Sequence, residues 1–141
     1  MLTAPEILAL LPYGPEFRFV DGLDDINENG VTGHFTFGSY QGHFKDYPVT
    51  PGVLLIETMA QIGLACLGIY LSDDVTNKSF AFTSSDVEFL LPVFPGEKVI
   101  VVSEKVYFRF GKLKCKVKML KEGKEVCSGT IAGMIITRPH A

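Results

Sequence analysis

His43, Gly52 and Glu57 lie close together in the chain, and their types fit one kind of chemistry, proton transfer beside a carbonyl group. Histidine near its reference pKa is the usual general base around neutrality. His43 sits between Gly42 and Phe44, in a loop that leads to a proline-stiffened approach, Pro48 to Pro51. Glu57 falls in the first turns of a segment, Gly52 to Leu71, that is apolar nearly all the way round. An ionised carboxylate there is costly to bury, so it must be paired, hydrogen-bonded or protonated. Burial raises its pKa and makes a proton-donating form accessible near neutrality. Gly52 follows Pro51 and lets a ligand approach the backbone closely, where the free N–H groups of a first helical turn favour an oxygen gaining negative charge. Base, acid and oxyanion site are what elimination next to a thioester carbonyl requires. Each residue taken singly has a plainer reading: Glu57 as a support for the first turn through the helix dipole, His43 as a solvated loop residue.

Other reactive side chains carry less. His34, in Gly33-His34-Phe35, mimics the first motif but falls at a polar position of an alternating strand, which assigns it to an outer sheet face. Cys66, Cys115 and Cys127 are odd in number and form no CxxC pair or Cys/His cluster. They read as small buried hydrophobes rather than zinc ligands or a disulfide framework. Lys112, Lys114, Lys116 and Lys118 recur at every second residue and form a row on one strand face, with Leu113, Cys115, Val117 and Met119 facing the core. That row is either a solvated face that blocks edge pairing or a docking surface for an acidic carrier protein or a phosphopantetheine group.

The elements that must position these residues follow from pattern. A chain of 141 residues is the length of one domain, 1–141, and 47% hydrophobic with 21% charged residues is a globular balance. A net charge of -3 argues against nucleic acid as a partner. Met1 to Leu11 lacks the basic flank and cleavage-like site of a secretory signal. The longest clean apolar run, Ile62 to Leu71, is too short to span a bilayer, so a soluble, cytoplasmic protein with no membrane partner is expected. Thr3 with Pro5 and Glu6 predicts a short capped helix through Leu10. Strands are expected over 17–26 and 31–37, joined by a turn at Asn27 to Gly30, and a Gly/Pro loop fills 38–51. The apolar helix over 52–71 runs roughly 28 Å and ends at the polar residues Asp73, Asp74, Thr76 and Asn77. Strands at 79–90, 97–110, 112–121 and 125–137 follow, with turns at Pro95-Gly96, Gly111 and Glu122-Gly123. A helix apolar on every face must be wrapped by other structure. The expected fold is therefore α+β, a curved antiparallel sheet around one long central helix. Such a sheet leaves a face and an edge exposed, so a dimer is expected.

The stretch from Gln41-Gly42-His43-Phe44 through Pro48-Val49-Thr50-Pro51-Gly52-Val53 to Leu55-Ile56-Glu57-Thr58-Met59-Ala60-Gln61 resembles the signature of the FabZ-like beta-hydroxyacyl-acyl carrier protein dehydratases of the hot-dog superfamily. The separation of 14 positions between His43 and Glu57 equals the family's. Further likeness runs through Leu11-Pro12, Val20-Asp21, Phe89, Pro92-Val93, Pro95-Gly96 and Phe110-Gly111-Lys112. The resemblance implies a hot-dog fold and dehydration of (3R)-3-hydroxyacyl thioesters, on acyl carrier protein or coenzyme A, to trans-2-enoyl thioesters. The setting implied is fatty-acid or polyene-type biosynthesis. It implies His43 and Glu57 as the catalytic pair, Gly52 N–H holding the thioester oxygen, the Val49 carbonyl orienting the imidazole, and Gln61 beside the glutamate. It also implies no metal or redox cofactor, the substrate being carried on phosphopantetheine. The implied assembly is a homodimer that shares its active sites, His43 from one subunit and Glu57 from its mate, or a trimer of such dimers.

The chain departs from the family at Lys45, where a proline is usual, and at Tyr13-Gly14-Pro15-Glu16-Phe17, where the family has H-R-Y-P-F. It departs again at Leu90-Leu91, in place of a basic pair. These differences point to a specialised pathway rather than bulk fatty-acid synthesis. The alternatives are a hot-dog acyl thioesterase, in which a helix carboxylate activates water, and a non-catalytic acyl-binding hot-dog protein. A dehydratase that also isomerises the double bond carries Asp rather than Glu at this helix position.

Overall fold

The computed structural model describes residues 2–38, 46–72 and 78–137. Helix α1 (Ala4–Ala9) opens on the capping box that its sequence predicts. The Glu6 N–H donates to Thr3 Oγ1, and Glu6 Oε1 accepts from the Thr3 N–H at 2.9 Å. Ile7 anchors the helix in a small cluster with Cys66 and Ile69. Strands β1 (Gly22–Asn27) and β2 (Gly30–Thr36) form a hairpin. The strand expected from Phe17 begins only at Gly22. Pro15–Phe17 turns as a single 3₁₀ turn instead, and the Phe17 carbonyl and Phe19 N–H bond to the Gln61 side chain rather than to a neighbouring strand.

Helix α2 runs Gly52–Leu71. Pro51 has extended ψ and cannot continue a helix backwards, and its carbonyl accepts from the Leu54 and Leu55 N–H groups. Gln61–Cys66 is wound more widely than an α-helix, with i to i+5 hydrogen bonding, which the apolar pattern did not reveal. Within that stretch the Gly63 carbonyl accepts from Ser103 Oγ at 3.1 Å and from Cys115 Sγ at 3.5 Å. A Cβ on Gly63 would lie 3.0 Å from Ser103, so glycine is what lets the helix come this close to the sheet.

Strands β3 (Lys78–Phe89), β4 (Lys98–Arg109), β5 (Lys112–Lys121) and β6 (Lys124–Thr137) complete an antiparallel sheet of order β1-β2-β4-β5-β6-β3. The β4–β5 and β5–β6 hairpins turn on Phe110-Gly111 and Glu122-Gly123, each pair at positive φ, the geometry that matches strand twist in a two-residue turn. The sheet wraps α2, as expected. Val99, Val101, Leu113, Val117, Met119 and Ile131 pack inward against Leu55, Met59, Ile62 and Leu67. All three cysteines are buried, and Lys116 and Lys118 are exposed on the outer face. His34 lies on that outer face as well, with Nδ1 3.0 Å from Asp24 Oδ1. By length and composition the whole of α2 could cross a bilayer, more than its cleanest run suggested, but 72% of its most apolar window is buried against this sheet. The edge strand β3 has no partner on its outer side among the described residues, and it leaves Phe82 and Phe89 exposed.

Candidate active site

Glu57 sits one and a half turns into α2, half-buried, facing a cavity of about 260 Å³ between the helix and strands β3, β5 and β6. The cavity walls are largely apolar: Ala60, Leu64, Phe80, Phe82, Leu113 and Ile135 among them. Burial pushes the Glu57 carboxyl above its ordinary pKa, and a hydrogen bond from Gln61 opposes that shift without cancelling it. The carboxyl is therefore a group that can hold a proton in an apolar channel.

Gln61 lies one helical turn further on and is fully buried. Its Nε2 donates to Glu57 Oε2 at 2.9 Å and to the Phe17 carbonyl at 2.8 Å, while its Oε1 accepts from the Phe19 N–H at 2.7 Å. One side chain thus fixes the carboxyl and ties the N-terminal segment across the cavity mouth. Three partners satisfy an amide that would otherwise be costly to bury.

Gly52 is the first residue of α2 and opens onto a different cavity of about 340 Å³, shared with Thr50, Leu55 and Phe89 to Pro92. The Phe89 ring lies over it, so a Cβ on Gly52 would sit 3.2 Å from two ring atoms. Beside it the Thr50 hydroxyl is buried with no hydrogen-bond partner among the described residues. Val49 is half-buried on the approach to the helix. His43 lies outside the described residues. Within one chain, then, Glu57, held by Gln61, lines one cavity and Gly52 lines another.

Tyr13 is the site residue that sequence reading missed. It lines the Glu57 cavity, and burial with the nearby Glu57 charge pushes its phenol pKa above the ordinary value. The available signal was its place in the segment that departs from the family's H-R-Y-P-F. Among the described residues no cluster of His, Cys, Asp and Glu is arranged to hold a metal ion.

The backbone is that of the hot-dog fold. It superimposes on a dehydratase heterocomplex, ApeI:P from Xenorhabdus doucetiae, with TM-score 0.76 at 13% identity, over 99% of this chain and 93% of that one. A thioesterase from Haemophilus influenzae gives TM-score 0.71, also at 13% identity, over 99% and 94%. Residues 11–130 match the FabA-like domain, and the chain belongs to that family. Two sequence relatives are named 3-hydroxyacyl-[acyl-carrier-protein] dehydratase FabZ. The one from Thermus thermophilus is 35% identical over 130 residues, 89% of this chain and 92% of the relative. The one from Clostridium perfringens is 34% identical over 140 residues, 93% and 96% of the two chains.

Proposed function

We propose that this protein is a 3-hydroxyacyl-acyl carrier protein dehydratase, converting (3R)-3-hydroxyacyl thioesters to trans-2-enoyl thioesters and water. One observation carries the reading: a half-buried carboxyl, Glu57, raised in pKa by burial, faces a largely apolar cavity near the start of a buried helix. The names of the relatives supply the substrate class.

In this reading His43 removes the C2 proton and the developing oxyanion is held by the Gly52 N–H. The C3–O bond then breaks as its oxygen takes the Glu57 proton. The double bond forms between C2 and C3, water leaves, and proton exchange returns both residues to their starting states. The Val49 carbonyl orients the His43 ring through its other nitrogen, and Gln61 holds Glu57 in place. The reaction uses no metal or redox cofactor; phosphopantetheine of the carrier, or of coenzyme A, brings the thioester.

The working unit is a homodimer with shared sites, alone or as a trimer of dimers. Two features support this. The long β3 edge with its exposed Phe82 and Phe89 invites a second copy. The separation of the Gly52 and Glu57 cavities within one chain is what a composite site requires. A fatty-acid or polyene-type pathway in the cytoplasm is the setting this chemistry fits.

The test is enoyl absorbance from 3-hydroxyacyl carrier-protein substrates of graded chain length. Wild type forms product, while His43→Ala and Glu57→Gln each lose at least about 100-fold in kcat and stay folded. Full turnover by either variant rejects the assignment, and release of free thiol without enoyl product would make the protein a thioesterase.

A further inference from the structure

Two polar residues, Tyr13 and Glu57, line the Glu57 cavity, and their side chains do not bond to each other. Among the described residues the Tyr13 hydroxyl makes no hydrogen bond, and Glu57 uses only Oε2, toward Gln61. Both residues line the same cavity, whose wall around them is made by Ala60, Leu64, Phe80 and Leu113. Tyr13 is not free to swing to solvent with its whole segment. Four and six residues on, the Phe17 carbonyl and Phe19 N–H are fastened to Gln61, the residue that also holds Glu57. The phenol and the carboxyl are thus two arms of one frame, each with an unmet hydrogen-bonding capacity on the cavity side. The phenol stays protonated because burial and the neighbouring carboxylate both oppose its ionisation, so at any working pH it is a donor.

With the thioester oxygen held by the Gly52 N–H, the acceptor left on a 3-hydroxyacyl group is the oxygen at C3. Resting on the dehydratase reading, we propose that Tyr13 is a substrate-contacting specificity residue whose O–H donates to the 3-hydroxyl oxygen and holds that oxygen against Glu57. As the C3–O bond breaks, the oxygen takes its proton from Glu57 while Tyr13 keeps its own, and the departing water is still hydrogen-bonded to the phenol. The arrangement selects 3-hydroxyacyl chains over saturated ones, because a saturated chain leaves the Tyr13 hydroxyl unpaired.

The experiment compares wild type with Tyr13→Phe, using a 3-hydroxyacyl pantetheine thioester as substrate and the saturated acyl pantetheine thioester as competitive inhibitor. Loss of one neutral hydrogen bond lowers kcat/KM for the hydroxyacyl substrate about 3- to 10-fold. The inhibition constant of the saturated analogue stays within about twofold, since that ligand never used the hydroxyl. Tyr13→Met, which removes the ring as well, serves as a second variant if Tyr13→Phe is unstable; the lost ring contact weakens both ligands, and the hydroxyacyl substrate loses about 3- to 10-fold more than the saturated analogue. Equal weakening toward both ligands, or unchanged kcat/KM in the variant, overturns the inference while leaving the dehydratase reading intact. A wild-type enzyme that forms no enoyl product overturns both.

Discussion

The two cavities flanking the first turns of α2 differ in what they offer. The one at Gly52 lies at the helix opening under Phe89, with the Thr50 hydroxyl buried beside it and unpaired among the described residues. The one at Glu57 presents an acid at the side of an apolar channel. Among the described residues neither cavity brings a base, an acid and an oxyanion site together. Under the proposed reading, a single chain carries halves of two sites that a two-fold partner joins. Five residues separate Gly52 from Glu57, enough to turn them to different sides of one helix.

The largest effect expected from that division comes from mixing subunits. His43→Ala and Glu57→Gln homodimers should both be nearly inactive. A purified heterodimer of the two should regain about half of wild-type kcat, because composite sites leave one site intact and one doubly altered. Sites contained within one chain would leave every site singly altered and the heterodimer as inactive as its parents; enoyl formation by tagged heterodimers decides between them.

Gly52→Pro tests the donor half. Proline is favoured at the first helical position, and Pro51 already has the extended backbone that a following proline demands, so the N–H is removed without backbone strain; Gly52→Ala, which brings the same Cβ to 3.2 Å from the Phe89 ring but keeps the N–H, is the control. A loss of about 100-fold in kcat with little change in melting temperature is expected if that N–H holds the oxyanion. Unchanged kcat would move the oxyanion site elsewhere.

Gln61→Met tests the acid half with a smaller effect. It deprives the buried Phe19 N–H of its acceptor, and urea unfolding should register a loss of about 1–3 kcal/mol. The Gln61 bond favours the ionised form of Glu57, so removing it raises the carboxyl's pKa further. In the proposed reaction Glu57 acts while protonated and loses its proton as pH rises, so the alkaline limb of kcat/KM should move to higher pH in the variant. A limb that stays in place would detach it from Glu57.

Much of the fold was legible because local chemistry and tertiary demand agree. Thr3 and Glu6 specified a cap that formed, Pro51-Gly52 specified where α2 begins, and Gly111 and Gly123 marked hairpins that require positive φ. The alternation in β5 correctly separated Leu113, Cys115, Val117 and Met119 from the lysine row. Phe17 to Val20 misled because their apolar, aromatic character suits a strand, while their backbone partners are supplied by a glutamine more than forty positions away. The wide winding over Gln61–Cys66 was equally hidden, since its partners Ser103 and Cys115 are distant in sequence. At the candidate site, residue type in an apolar helix picked out Glu57, and the family resemblance implied Gln61 beside it, where the structure places it. They could not reveal that Tyr13 shares their cavity, because a loop residue's neighbours are set by the folded chain.

The bond from the Phe19 amide to Gln61 has one more consequence. A backbone proton that terminates on a side chain, deep in the interior, exchanges with solvent only when that side chain lets go. Its exchange rate, followed by NMR in deuterated buffer, is therefore a native gauge of whether the amide clasp beside the acid is closed, readable without substrate and without altering a single atom of the protein.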